Sequence, residues 1–180
     1  MLGDSLSAAH GIAVKDGWVS LLGKRLETAH PPRAVVNASI SGETTAGGLA
    51  RLPKLLADTH PALVLVELGA NDGLRGLPLA EARSNLAKML EAIRAAKARA
   101  VLIGIELPVN YGPQYRDGLR SMYRGLADEF NVPLLPFLLD GVALDPDLMQ
   151  DDGLHPKAAA QPKVLANVWA VLEPALRELP

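Results

Sequence analysis

The stretch Ala62-Leu63-Val64-Leu65-Val66-Glu67-Leu68 decides the fold of this chain. It is short, rich in Val and Leu, and lacks polar alternation. Strands buried on both faces read this way, and such strands belong to parallel sheets covered by helices. Ala34-Val35-Val36, Ala100 to Ile105 and Val132 to Leu135 share the pattern. Helical periodicity fills the gaps between them. Trp18, Leu21, Leu22 and Leu26 recur at helical spacing after Asp16, which is read as an N-cap. Ala82, Leu86, Met89, Leu90 and Ile93 do the same between two strands. Arg116 to Glu129 and Val164 to Leu179 are further helices, and Pro162 suits the first turn of the last. Pro53 is expected to split Thr44 to Ala57 into two short helices. Alternating strands and helices predict an α/β fold, a doubly wound parallel sheet with helices on both faces.

The chain has 180 residues, 49% hydrophobic and 21% charged, with net charge −2. That length suits one domain with a sizeable core, read as residues 1–180. A near-neutral balance gives no electrostatic footprint for nucleic acid. The absence of cysteine excludes disulfides, thiolate catalysis and cysteine zinc sites. No apolar run approaches the roughly 20 residues that span a bilayer. The opening Met1-Leu2-Gly3 reads as lacking a signal peptide.

The irregular stretches follow strands and should gather on one rim of the sheet, where open α/β sheets bind ligands. Four blocks lie there: Gly3-Asp4-Ser5-Leu6-Ser7, Ser41-Gly42-Glu43-Thr44, Gly69-Ala70-Asn71-Asp72 and Asp152-Gly153-Leu154-His155-Pro156. Serine needs a base to act as a nucleophile at neutral pH. Of the four histidines, His30 and His60 precede prolines at expected helix C-termini and read as structural. His10 sits in a glycine-flanked loop near Ser5 as a rim residue. His155 has Asp152 three residues before it in a glycine-containing turn. That spacing lets the carboxylate reach the imidazole Nδ1–H and orient it, as in a Ser-His-Asp triad. The alternative is that Asp152 only caps the turn before the last helix. Asp151 reads as a solvated turn residue.

A tetrahedral intermediate needs preorganised donors, and each is worth roughly 10²–10³ in rate. Gly42 can offer its N–H, with no Cβ to block a substrate. Asn71 can offer its side-chain amide, and Ser5 its own N–H. Taken singly, Gly42 and Asn71-Asp72-Gly73 are turn signals; their joint order favours chemistry. Asp4 and Asp72 are expected to tie down N–H groups of their own loops.

These blocks resemble the SGNH, or GDSL, hydrolase family through Ser5, Gly42, Asn71 and His155, with Asp152 in its D-x-x-H position. Longer matches run through Val36 to Gly42, Val66 to Gly76, Val132 to Phe137 and Met149 to Gly153, and resemble the TesA-type branch of bacterial esterases, thioesterases and lysophospholipases. The resemblance implies a flavodoxin-like α/β/α sandwich with five parallel strands. It implies hydrolysis of acyl esters and thioesters through an acyl-enzyme, with no metal or organic cofactor. Ser5, His155 and Asp152 would be catalytic, and Ser5, Gly42 and Asn71 would form the oxyanion hole. It also implies a periplasmic monomer acting in lipid metabolism on small acyl substrates.

Three features depart from the family. Only Met1 and Leu2 precede the G-D-S block, so the first strand is expected to be largely missing. Ala70 stands where relatives often carry glycine, an added methyl expected to be tolerated. Glu106 stands where arginine is common, at the head of an acyl-binding loop, with an effect that sequence does not sign. Leu74, Leu77, Pro108, Val109, Tyr111, Phe137 and Leu138 are apolar residues of the rim loops. Leu74 and Pro108-Val109-Asn110-Tyr111 are the strongest candidates for an acyl groove. The rivals are a carbohydrate O-deacetylase on the same fold and a non-enzymatic flavodoxin-like binding module. The latter lacks a phosphate-cradling glycine motif.

Overall fold

The computed structural model describes residues 1–179. The elements run β1 (Leu2–Gly3), α1 (Trp18–Glu27), α2 (Thr45–Thr59), β2 (Leu63–Glu67), α3 (Ala70–Leu74), α4 (Leu79–Ala95), β3 (Arg99–Ile103), α5 (Pro113–Phe130), β4 (Leu134–Leu135) and α6 (Gln161–Arg177). The four strands lie side by side in chain order, all parallel. Helix α1 packs on α6 on one side of the sheet, while α2, α4 and α5 pack in sequence on the other. The sheet is buried between these layers, which is why β2 and β3 carry nearly unbroken apolar runs. No helix among the described residues is long and apolar enough to cross a membrane.

The helical stripes fall where the periodicity puts them. Helix α4 buries Ala82, Leu86, Met89, Leu90 and Ile93. In α1, Val19 joins Trp18, Leu22 and Leu26 in the core and Leu21 is half-buried. Two local expectations are corrected. Asp16 lies in a short 3₁₀ turn, and Gly17 is the N-cap of α1 without a side-chain bond. Pro53 does not split its segment: α2 is one helix from Thr45 to Thr59, capped by the Thr44 hydroxyl. Leu52 and Leu56, on either side of the proline, are buried. Their packing outweighs the hydrogen bond that Pro53 cannot donate.

Five strands were expected, and four form among the described residues. The segment from Ala34 to Ile40 runs beside β1: Met1 N–H donates to Val36 O at 2.7 Å, Ala38 N–H to Met1 O at 2.9 Å and Ile40 N–H to Gly3 O at 3.0 Å. A two-residue β1 gives too short a partner for a regular ladder, so Ala34-Val35-Val36 is not a strand and Val36 stays exposed. Short β1 pairs only with Val66 and Glu67, leaving the first part of β2 unpaired on that side. A cleft of about 370 Å³ lies there, lined by Met1, Leu2, Val35, Leu52, Leu63 and Leu65.

The strands end together at the opposite rim, where the loops after β1, β2, β3 and β4 emerge. Gly69 makes the turn from β2 into α3 at φ 123° and ψ −15°, and a Cβ there would stand 2.5 Å from Tyr123 Oη. That hydroxyl is itself fixed, donating to Leu68 O at 2.8 Å. The methyl of Ala70 meets neither restriction, since Ala70 starts α3 without a positive φ. Gly69→Ala is therefore expected to cost about 2 kcal/mol or more. That corresponds to a fall of about 4–8 °C in Tm by thermal melting. An unchanged Tm would contradict this account of the β2–α3 turn.

Candidate active site

Ser5 sits in the first turn after β1, where Ala8 N–H returns to Asp4 O at 2.9 Å and His10 N–H to Ser5 O at 3.2 Å. Asp4 fixes the turn locally, accepting from Leu6 N–H at 3.0 Å. From the far end of the chain, the 149–156 loop closes on itself. Met149 bridges Pro156, Gln150 N–H donates to His155 O at 2.8 Å, and Gly153 takes φ 66°. Gln150 Nε2 also donates to His10 O at 2.9 Å, which ties this loop to the Ser5 turn.

The two loops bring three side chains into a line. His155 Nε2 lies 2.8 Å from Ser5 Oγ, and His155 Nδ1 lies 2.6 Å from Asp152 Oδ2. Asp152 both caps and orients. Its Oδ1 accepts from the Leu154 and His155 N–H at 2.9 and 3.0 Å, while Oδ2 holds the imidazole. Burial alone would raise the Asp152 carboxyl. The His155 imidazole and the two N–H groups together outweigh it and hold its pKa at about 2. An ionised Asp152 on Nδ1–H leaves Nε2 as the acceptor for the Ser5 hydroxyl proton.

Two other segments carry the remaining candidate donors. Gly42 has φ 79°, and Arg75 Nη2 donates to its carbonyl at 2.8 Å. A Cβ at Gly42 would lie 3.7 Å from Arg75 Nη2, so its left-handed backbone, rather than lack of space, calls for glycine. Among the described residues, neither the Gly42 nor the Ser5 N–H is taken up by another group. Asn71, at the start of α3, donates to Glu43 O at 2.9 Å and to Asp4 Oδ2 at 3.2 Å. These two bonds tie the amide to the Ser5 turn and to the segment before α2. Asp72 reaches beyond its own loop, contrary to expectation. It accepts from the Thr45 N–H at 2.9 Å and the Thr45 hydroxyl at 2.5 Å, pinning α3 to α2.

The remaining site candidates separate. Tyr111 is half-buried and its hydroxyl donates to Leu74 O at 3.4 Å, so the 106–112 and 69–78 loops meet there. Pro108 is half-buried beside it, while Val109 and Asn110 are exposed. Leu138 is a correction: it is fully buried in the core, with its N–H on Gly104 O, and cannot touch a substrate. His60 is the C-cap of α2. His10 lies against His155, ring centroids 4.4 Å apart and the ring planes tilted by 41°. His10, Asp152 and His155 place potential ligand atoms within 4.8 Å of one another. The Asp152–His155 pair has the spacing of a shared proton, however, and is too close for two ligands of one metal ion.

Glu106 reaches to α5. Arg120 grips it with two bonds, Nε to Oε1 at 2.8 Å and Nη2 to Oε2 at 2.6 Å, and Arg116 Nη2 adds a third at 3.3 Å. These arginines, Arg120 first, hold its carboxyl below the ordinary range. Arg116 also donates to Leu107 O at 2.9 Å. Sequence reasoning missed this clasp, and with it Arg75, Thr45 and the buried Glu67. Glu67 had a signal, being the charged residue in an otherwise apolar strand. The others depend on contacts between distant loops.

Residues 1–161 match the GDSL-like Lipase/Acylhydrolase family. The chain is 52% identical over 176 residues to the esterase TesA of Pseudomonas aeruginosa, covering 98% of this chain and 88% of that protein. It is 45% identical over 174 residues to the thioesterase 1/protease 1/lysophospholipase L1 of Escherichia coli, covering 97% and 82%. Among solved structures, the psychrotrophic esterase EstA from a Pseudoalteromonas species, inhibited by monoethylphosphonate, superposes with a TM-score of 0.91. That match has 41% identity and covers 98% of this chain and 97% of the other.

Releasing the clasp should loosen the 106–112 loop without touching Ser5. Glu106→Gln is expected to raise KM for p-nitrophenyl octanoate several-fold while leaving acetate hydrolysis nearly unchanged. Equal changes for both esters would contradict a role for the clasp in shaping the acyl end of the site.

Proposed function

The chain belongs to the GDSL-like lipase/acylhydrolase family and is a carboxylic ester hydrolase, and we propose that Ser5, His155 and Asp152 are its catalytic triad. The hydrogen-bonded line from Ser5 Oγ through His155 to Asp152, at 2.8 and 2.6 Å, carries this reading. His155 Nε2 takes the Ser5 proton as Oγ attacks the acyl carbonyl. The carbonyl oxygen becomes an oxyanion, received by the N–H groups of Ser5 and Gly42 and the Asn71 amide. His155 then passes its proton to the departing alcohol or thiol, and the acyl group remains on Ser5. A water molecule, deprotonated by His155, attacks that ester, and collapse of the second intermediate returns the proton to Ser5. Asp152 stays ionised throughout and stabilises the imidazolium.

The substrate range in this reading is acyl esters and acyl thioesters, including lysophospholipids. The apolar rim of Leu74, Pro108, Val109 and Tyr111, with Asn110 at its exposed edge, would receive the acyl chain. Such a rim favours an acyl group longer than acetyl, and so argues against carbohydrate deacetylation. The rest of the reading is a single-domain monomer that works in the periplasm, without nucleic acid or metal.

Hydrolysis of p-nitrophenyl acetate, butyrate, octanoate and palmitate tests it. Ser5→Ala is expected to lower kcat by at least about 10³ in a folded protein. Asp152→Asn should lower it by about 10⁴ through the wrong imidazole tautomer. Acyl-CoA hydrolysis should fall in parallel in both variants. A folded Ser5→Ala protein with unchanged activity would overturn the assignment.

A further inference from the structure

Beside the Ser5 turn the structure buries two carboxyl groups against each other. Asp4 and Glu67 are both 0% exposed, brought together by the register that pairs Gly3 with Glu67. Glu67 Oε2 accepts from the Ser7 hydroxyl at 2.7 Å and from the Asp4 N–H at 3.3 Å. Glu67 Oε1 is buried with no donor. Asp4 has a donor on each oxygen, Leu6 N–H on Oδ1 and Asn71 Nδ2 on Oδ2. The two buried carboxyl groups lie close enough to act on each other directly. Asp72 of α3, Tyr123 of α5 and His155 of the last loop also act electrostatically on this pair.

Two ionised carboxylates cannot share such a place. Burial opposes each charge, and each charge opposes the other. One proton on Glu67 Oε1 relieves both, because it turns an orphaned acceptor into a donor with Asp4 as its partner. The geometry selects Glu67 as its holder, since both Asp4 oxygens already receive N–H groups. We infer that Glu67 is a neutral carboxylic acid at neutral pH, and that its O–H, donated to Asp4, fixes Asp4 as the anchor that aims the Asn71 amide. Glu67 is then a positioning residue acting through Asp4 and Asn71, an assignment that rests on the oxyanion role proposed for Asn71. Burial first, and then the Asp4 charge, push the Glu67 carboxyl well above the ordinary range. Burial pushes Asp4 up to about 6.

A carboxyl raised in the folded state keeps protons that the unfolded chain has released, so stability falls as pH rises. For Asp4 this loss runs from 3.8 to about 6, and for Glu67 it continues above that range. Glu67→Gln presents an N–H where the acid presents O–H, and it cannot ionise. It should keep kcat within a few-fold of wild type and lack the alkaline loss of stability and of kcat. Glu67→Leu should lower kcat by about 10²–10³, the effect of a lost oxyanion donor, with little change in KM.

Infrared spectroscopy at pH 7 decides the matter directly, because ordinary carboxyls are ionised there. The expected result is a neutral-acid carbonyl band in the wild type, kept in Ser5→Ala, lost on alkaline titration and absent from Glu67→Gln. The absence of any such band in the wild type overturns the inference, whether or not the variants fold. The same band in a folded Glu67→Gln protein also overturns it. A Ser5→Ala protein that keeps both the band and full activity would leave the protonated Glu67 standing. It would remove the hydrolase site it was said to serve.

Discussion

A parallel register two residues long, Leu2 on Val66 and Gly3 on Glu67, sets where everything else in the site can stand. It places the end of β1 beside the end of β2, so the Ser5 turn and the Asn71 helix rise from neighbouring strands. A shift of one residue would reverse the faces to which Gly3 and Asp4 point. The approach is also close: a Cβ on Gly3 would come within 2.8 Å of Glu67 Oε2. Glycine at that position lets the carboxyl of Glu67 lie under the turn that carries Ser5.

From that register outward, the site is assembled by bonds between loops that are distant in sequence. Asn71 reaches Asp4 and Glu43, Arg75 holds the Gly42 carbonyl, Asp72 pins Thr45, and Gln150 joins the His155 loop to His10. Each loop is thereby fixed by a partner outside itself. Charge or polarity supplies the grip, and rigid strand ends supply the position. Such preorganisation is what an oxyanion site needs, since its donors must be in place before charge develops. The same logic extends to the 106–112 loop, whose head Arg116 and Arg120 hold through Glu106.

Much of this was legible in the sequence. Periodicity located α4 and α6 because their buried stripes repeat over several turns. The apolar runs located β2 and β3 because both their faces are covered. The Asp152–His155 pairing was legible from a local spacing of three residues. Other features were settled by tertiary contacts that a linear reading does not contain. Ala34-Val35-Val36 has strand composition yet lacks a long enough partner in β1. Pro53 breaks a local rule that buried Leu52 and Leu56 override. Leu138 looked like a rim residue and belongs to the core. The Glu106 charge, unreadable alone, takes its meaning from two arginines one helix away.

The central claim is that Ser5 is the nucleophile activated by the His155–Asp152 pair. Its most direct test is mass spectrometry of the intact and digested protein after exposure to an alkyl p-nitrophenyl phosphonate. The account predicts one phosphonate per chain, located on Ser5, with labelling abolished in a folded His155→Ala variant. An adduct on another residue, or equally rapid labelling of Ser5 without His155, would contradict it.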